Sequence, residues 1–304
     1  MHDRTPTDGS VPPWTLAVGA MLSVQLGSAL SVPLIDTVGA AGTAWLRLTA
    51  GALVFLVLVR PPLASVRRAD VPALLGLGIT SGLVTIFFLA ALERIPLGTA
   101  VAVEFLGPLT VAAVRSHSTR ALIWPGLALA GVVGLTEPWH GTVDLPGLGF
   151  AACGAVGWAG FILLTQLVGD RFSGITALSV TVPIAAVTAA VVGVPQAAGH
   201  LSLEVVAAAA GLALLFPVLQ NALDMAALRG MTPTAFGTLM ALEPAMGVLL
   251  GLVVLSQQPS LIQLAGIGLV VIAGVGAQRG GRRIPPTDTP RDPVLVPLTA
   301  MEPT

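Results

Sequence analysis

The chain has 304 residues, of which 55% are hydrophobic and 10% charged, against about 25% charged in an ordinary soluble domain. With a mean hydropathy of +0.91 and a net charge of -1, this composition excludes a soluble enzyme and lacks the basic surplus of a nucleic-acid binder. What it leaves is a polytopic membrane protein. The single cysteine, Cys153, excludes an internal disulfide and reads as a small buried hydrophobe. His2, His117, His140 and His200 all fall in expected tails or loops, so no metal site, cofactor or nucleophilic catalytic site is expected.

Residues 1–13 carry Asp3, Arg4 and Asp8. They read as a short polar tail without the basic start and small-residue cleavage site of a secretory signal, so the first apolar run is expected to stay in the protein. A span needs about 20 apolar residues to cross about 30 Å of hydrocarbon. Such runs recur near 14–31, 39–59, 71–92, 97–114, 121–136, 148–167, 174–193, 205–228, 233–254 and 260–278. Beyond them, residues 279–304, rich in Pro and Thr, are expected to be a disordered tail.

The runs divide into two sets of five. Laying Pro108 on Pro244 gives an offset of 136 residues, which also places Ala90-Ala91-Leu92 on Ala226-Ala227-Leu228 without a gap. An odd number of spans per copy forces the second copy to be inverted. The expectation is an all-α membrane protein of ten transmembrane helices in two inverted five-helix repeats, 14–136 and 148–278, joined by an external linker at 137–147. All 14 basic residues are arginine. Arg60, Arg67, Arg68, Arg115, Arg120, Arg171, Arg229, Arg279, Arg282 and Arg283 follow even-numbered spans, whereas the odd links hold only Arg94. By the positive-inside rule both termini, 1–13 and 279–304, are cytoplasmic. Trp14 and Trp124 near cytoplasmic ends and Trp139 at an outer one are expected to anchor at the interface. Gly78-x-x-x-Gly82 and Gly247-x-x-x-Gly251 are expected to allow close helix packing.

Polar residues inside these runs are the functional candidates, because a charge at mid-membrane costs roughly 2.5 to 3.5 kcal/mol on insertion scales and marks a substrate, ion or proton path. In chain order, Gln25 lies in the first span. Arg47 lies in the second, where a buried guanidinium needs a protein acid or a ligand carboxylate. Glu104 in the fourth and Glu243 in the ninth both fall near mid-bilayer, each beside a proline. Pro108 and Pro244 each remove an amide donor and free the carbonyl four residues back, on Glu104 and Met240, kinking the helix. Trp158 lies too deep in the sixth span for an interfacial belt. Gln220, Asn221 and Asp224 make a polar stripe on one face of the eighth. The two acids are not symmetry mates, since Glu104 aligns with Met240 and Glu243 with Gly107. The expected site is therefore lopsided, with at least one acid exchanging protons.

At these residues the sequence resembles the drug/metabolite transporter superfamily, EamA type, and within it the threonine/homoserine exporter branch. The resemblance is carried by Ser23-Val24-Gln25, by Val38-Gly39-Ala40 with Leu46-Arg47-Leu48, and by Ile95-Pro96-Leu97-Gly98 with Val103-Glu104-Phe105 and Gly107-Pro108-Leu109. It continues in Phe236-Gly237-Thr238-Leu239-Met240 running into Glu243-Pro244-Ala245. It implies two EamA repeats around a central cavity lined mainly by spans 1, 3, 4, 6, 8 and 9. It also implies proton-driven export of small amino acids or related metabolites in the bacterial inner membrane. The partners so implied are a small-molecule substrate such as an amino acid, protons and the lipid bilayer, with a homodimer as a further option. A carrier of drugs or other metabolites with the same fold, and a non-transporting scaffold, are the alternatives. Two departures stand out: Asp224 where the branch tends to have Glu, and Leu255-Ser256-Gln257 for a common Leu-Gly-Glu.

Overall fold

The computed structural model describes residues 12–59, 66–115, 119–139, 143–168 and 175–280. The N-terminal tail up to residue 11, the C-terminal tail beyond residue 280, residues 140–142 of the expected linker, and Arg60, Arg171, Arg282 and Arg283 lie outside them. Every regular element among the described residues is helical: α1 (Pro13–Ala29), α2 (Val32–Leu58), α3 (Val71–Leu92), α4 (Leu97–Glu104), α5 (Leu106–Arg115), α6 (Ile123–Thr136), α7 (Leu145–Val168), α8 (Ile175–Ala197), α9 (Leu203–Ala213), α10 (Gln220–Gly230), α11 (Pro233–Met240), α12 (Glu243–Leu255) and α13 (Leu261–Gly280). Counting α4 with α5, α9 with α10 and α11 with α12, seven helical stretches are long and apolar enough to cross a membrane, and Ile123–Thr136 and Leu261–Ala277 are shorter apolar helices. The chain is thus a multi-pass membrane protein.

Local chemistry explains where these helices start and stop. Prolines occupy the first turn of α1, α2, α3, α11 and α12, where a missing amide costs nothing. Ser202 and Thr232 cap α9 and α11 by accepting from the amides of Val205 and Ala235, each at 3.2 Å. Ser256 ends α12 in the left-handed region at φ 56°, a conformation that costs a residue with a Cβ about 1–2 kcal/mol and glycine almost nothing. Ser256→Gly is therefore expected to stabilise the protein by about 0.5–1 kcal/mol after the added freedom of the unfolded chain is discounted. A thermal melt in detergent checks this, and a lowered midpoint would contradict it. The neighbouring Gln257 is a cap in its own right, its Oε1 accepting from the amide of Leu97 at 3.2 Å at the start of α4.

Helices pack mainly in pairs: α2 with α8, α3 with α7 and α8, α6 with α13, α1 with α10, and α4 with α12. Small residues make these approaches. A Cβ at Gly82 would lie 2.7 Å from the carbonyl oxygen of Ala185, joining α3 to α8. One at Gly247 would lie 3.4 Å from the Cα of Gly98, joining α12 to α4. Between α6 and α13 the two backbones touch, the Gly131 and Gly266 positions each facing the other's carbonyl at 2.5 and 2.6 Å. The outward faces carry large exposed aliphatics such as Leu53, Val156, Val191 and Ile272, which suits a lipid surroundings in which backbone contact, rather than apolar burial, selects helix pairs.

Two sequence expectations are corrected. The second span was expected from residue 39, but α2 starts at Val32 with a non-helical residue, Gly39, at φ 74° and ψ 167°. Asp36 is accommodated because it is exposed while Leu34, Ile35 and Val38 are buried, and Arg47 falls near the middle of the helix rather than toward one end. Cys153 is exposed rather than buried, since it lies on the outward face of α7. Trp124, expected at an interface, packs its ring against Gly276 of α13 and against the core cluster there.

Candidate functional site

Three breaks in the helices shape the interior. α4 stops at Glu104 and α5 resumes at Leu106, four to two residues before Pro108. α11 stops at Met240, a turn closed by the amide of Leu242 donating to the carbonyl of Leu239 at 2.8 Å follows, and α12 begins at Glu243 with Pro244 behind it. Each break falls where a proline denies an amide to the carbonyl four residues earlier. The third break, Leu214–Leu219, was not anticipated: Phe216 is extended at φ -143° and ψ 122°, next to Pro217. Its signal was present in the sequence as a proline inside an apolar run, the same mark that singled out Pro108 and Pro244.

The breaks lie around one internal, partly open cavity of about 240 Å³. Four of the side chains chosen from sequence line it from the first half of the chain or its middle: Gln25 on α1, Arg47 on α2, Glu104 on α4 and Trp158 on α7. Gln220 and Asn221 on α10 and Glu243 on α12 line it from the other. Asp224, Pro108 and Pro244 are not part of the lining. The two prolines act at one remove, because the residues whose carbonyls they free, Glu104 and Met240, both line the cavity. The wall also uses α3, the third span already expected there, and α8, which was not, through Ser81, Thr85, Phe88 and Thr181. These the sequence reading missed, since a Ser or Thr in an apolar helix usually bonds back to its own backbone, as Thr85 does to Ser81 at 2.9 Å. A wider, open groove of about 520 Å³ lies on the outside between α2 and α9. Its walls are mainly aliphatic, with Thr37 and Glu204 the polar side chains, and none of the sequence candidates reaches it, so the converging polar groups make the smaller chamber the candidate site.

The cavity holds buried ionisable groups whose polar atoms the protein satisfies only in part. Arg47 is 2%, Glu243 5% and Glu104 7% exposed. Glu104 Oε1 and Gln25 Oε1 are buried with no hydrogen-bond partner. Arg47 donates from Nη1 to Ser31 Oγ at 2.7 Å and lies over the Phe216 ring at 5.4 Å from its centre, yet its Nε is buried and unpartnered. The only salt bridge among the described residues is the exposed Arg94–Asp144 contact at 3.7 Å, so Arg47 has no acid of its own. Buried polar groups left in this condition are costly, and a ligand or ordered water must complete them. Outside the chamber, Asp224 accepts from Gln220 Nε2 while its Oδ1 is buried without a partner, one helical turn further along α10. No group of three His, Cys, Asp or Glu side chains positioned to hold a metal occurs among the described residues.

Broken apolar helices around a chamber lined by ionisable and polar side chains are the build of a membrane carrier for small solutes. The EamA-like transporter family matches residues 145–276. The threonine/homoserine exporter RhtA of Escherichia coli (strain K12) is 32% identical over 274 residues, covering 87% of this chain and 90% of that one. RhtA of Salmonella typhimurium (strain SL1344) is 32% identical over 269 residues, covering 88% and 91%. A solved crystal structure shares the fold at a TM-score of 0.57 and 21% identity, over 87% of this chain and 98% of that one. The chain belongs to the EamA-like transporter family and is a transporter, not an enzyme.

Proposed function

We propose that the protein is a secondary active exporter of small amino acids or related metabolites, threonine- or homoserine-like, working as a proton-coupled antiporter by alternating access in the bacterial inner membrane. The observation that carries this reading is the pair of buried carboxyls, Glu104 and Glu243, in one chamber with no salt bridge to either. Each needs a proton or a substrate ammonium group as its counterpart. The similarity to the RhtA exporters supports amino acids as cargo. A chamber of about 240 Å³ is smaller than the roughly 300–1,000 Å³ of sites for drug-sized ligands, which favours small solutes over drugs.

The architecture we infer is ten spans in two inverted five-helix repeats, 14–136 and 148–278, with both termini cytoplasmic. The helix pairs support it: under the 136-residue offset, α2 with α8, α4 with α12 and α6 with α13 are each a span with its own mate, and α3 with α7 maps onto α10 with α1. Inverted repeats place their sites at the interface between them, near the midplane. In the cycle, an ammonium group entering from the cytoplasm pairs with Glu243 or Glu104, and the substrate carboxylate is held by Asn221, Gln220 or Arg47. Gln25 and Trp158 shape the space between. Protonation from outside displaces the ammonium, and the protonated acid returns. Asp224, outside the chamber, relays between it and the cytoplasm, while the breaks beside Pro108 and Pro244 serve as hinges.

Reconstituted vesicles loaded with labelled threonine test this directly. With the outside made acidic, efflux is expected to exceed that at equal pH. Efflux indifferent to the gradient would leave a facilitator. No flux of threonine, homoserine or any member of a labelled solute panel would leave a scaffold.

A further inference from the structure

Three side chains could receive the anionic end of a substrate in the chamber, and their donors differ in what they already hold. The amide nitrogen of Asn221 donates to the carbonyl of Pro217 at 2.6 Å. That of Gln220 donates to Asp224 Oδ2, which also puts a carboxylate beside any anion bound there. Arg47 is different. Its Nη1 is fixed by Ser31 Oγ at 2.7 Å, and the Ser31 hydroxyl spends its own hydrogen on the carbonyl of Gly27 at 2.6 Å, so it can only accept from the guanidinium. The Phe216 ring covers one face of the fork at 5.4 Å. What is left is a donor, Nε, that is buried without a partner on a residue 2% exposed that lines the chamber. A guanidinium held in this way presents a planar fork matched to a carboxylate, and cannot shed its charge instead.

We propose that Arg47 is the carboxylate-binding and specificity-determining residue of the transporter, so that cargo must carry an anionic group and binds with that group against α2 and its ammonium toward Glu104 and Glu243. This rests on the export reading above and chooses among its three alternatives. The absence of any acid within bridging distance of Arg47 among the described residues is what makes the site a receptor rather than a structural bridge. Ser31 is a positioning residue: it touches the guanidinium and not the substrate.

The test uses purified full-length protein and two probes of nearly equal size, L-threonine and L-threonine amide, which lacks the carboxylate. Ligand-induced thermal stabilisation in detergent reads binding without requiring transport, and titration gives the preference for the acid over the amide. The wild type is expected to prefer threonine by about tenfold or more, the range of a charge-assisted fork. Arg47→Gln is expected to bring the two within about twofold, and Arg47→Lys, which keeps the charge and loses the fork, to fall between them. Ser31→Ala is expected to weaken threonine binding while sparing that of the amide. An Arg47→Gln protein that keeps the wild-type preference overturns the proposal, as does a collapse of the preference in Asn221→Ala but not at Arg47. Should Arg47→Gln not fold, Arg47→Lys and Ser31→Ala decide alone, and an unchanged preference in both overturns it. If no carboxylate stabilises the wild type, the subsite is overturned whatever the vesicles do. If threonine binds through Arg47 but is never exported, the subsite stands and the export reading falls.

Discussion

Replacing Glu243 or Glu104 by glutamine is expected to uncouple transport from the proton gradient. Glutamine keeps the volume of the side chain but can neither carry a proton between the two sides nor pair an ammonium group as an ion. Losing the charged half of such a hydrogen bond costs about 1.5–3 kcal/mol, roughly a 10- to 150-fold weaker grip on the substrate. Efflux from loaded vesicles should therefore fall in both variants, and what remains should be equal with and without an acidic exterior. Glu243→Asp and Glu104→Asp, which keep an exchangeable proton on a shorter arm, should restore part of the gradient response. Glutamine variants that both retained the wild-type response to the gradient would remove the acids from the mechanism. Their folding is not at stake, since Glu104 Oε1 has no partner to lose and no salt bridge is broken at either position.

Gly107→Ala is expected to destabilise the protein by about 1–3 kcal/mol or more, the cost of overpacking a filled interface. A Cβ there would overlap the carbonyl oxygen of Ala155, and that atom is backbone, so no rotamer change relieves the contact. α5 and α7 must separate. The control is Gly149→Ala on α7, where a Cβ meets nothing within 4 Å and the better helix propensity of alanine leaves stability unchanged or improved. Thermal melts of the two variants check the pair, and equal midpoints would contradict the account. The same contact bears on the proposed repeats: under the 136-residue offset Gly107 aligns with Glu243, and with α7 pressed against Gly107 a side chain there would clash, whereas Glu104 lies three residues earlier.

How far the sequence went can be traced residue by residue. Composition and apolar run length revealed the helices because the bilayer imposes a length on every span, and α3 has the expected limits of 71 and 92. Gln25, Arg47, Glu104, Trp158, Gln220, Asn221 and Glu243 could be picked out because polarity inside an apolar run is conspicuous, and all seven line one chamber. What could not be read was pairing. The expectation of a protein acid or a ligand carboxylate for Arg47 followed from the cost of a lone buried charge, but only coordinates show that the guanidinium is braced by Ser31 and Phe216 with no protein acid bridging it among the described residues. The start of α2 was missed because Asp36 reads as a loop residue when the direction it faces is unknown. The extended residue Phe216 was not legible because Pro217, unlike Pro108 and Pro244, has no acid beside it to mark its break.

The contact between α6 and α13 has a mechanical meaning. Their glycines bring two backbones together at Gly131 and Gly266, and at one end Ser260 donates to Glu137 at 2.6 Å while Gln263 donates to the carbonyl of Leu135 at 3.2 Å. Joined at the glycine contact and again at one tip, these two helices form a closely packed pair. In the alternating access proposed above, a rocking carrier needs a fulcrum as much as it needs hinges, and this pair would serve as one while the swing falls to the segments interrupted at Phe105, Phe216 and Ala241.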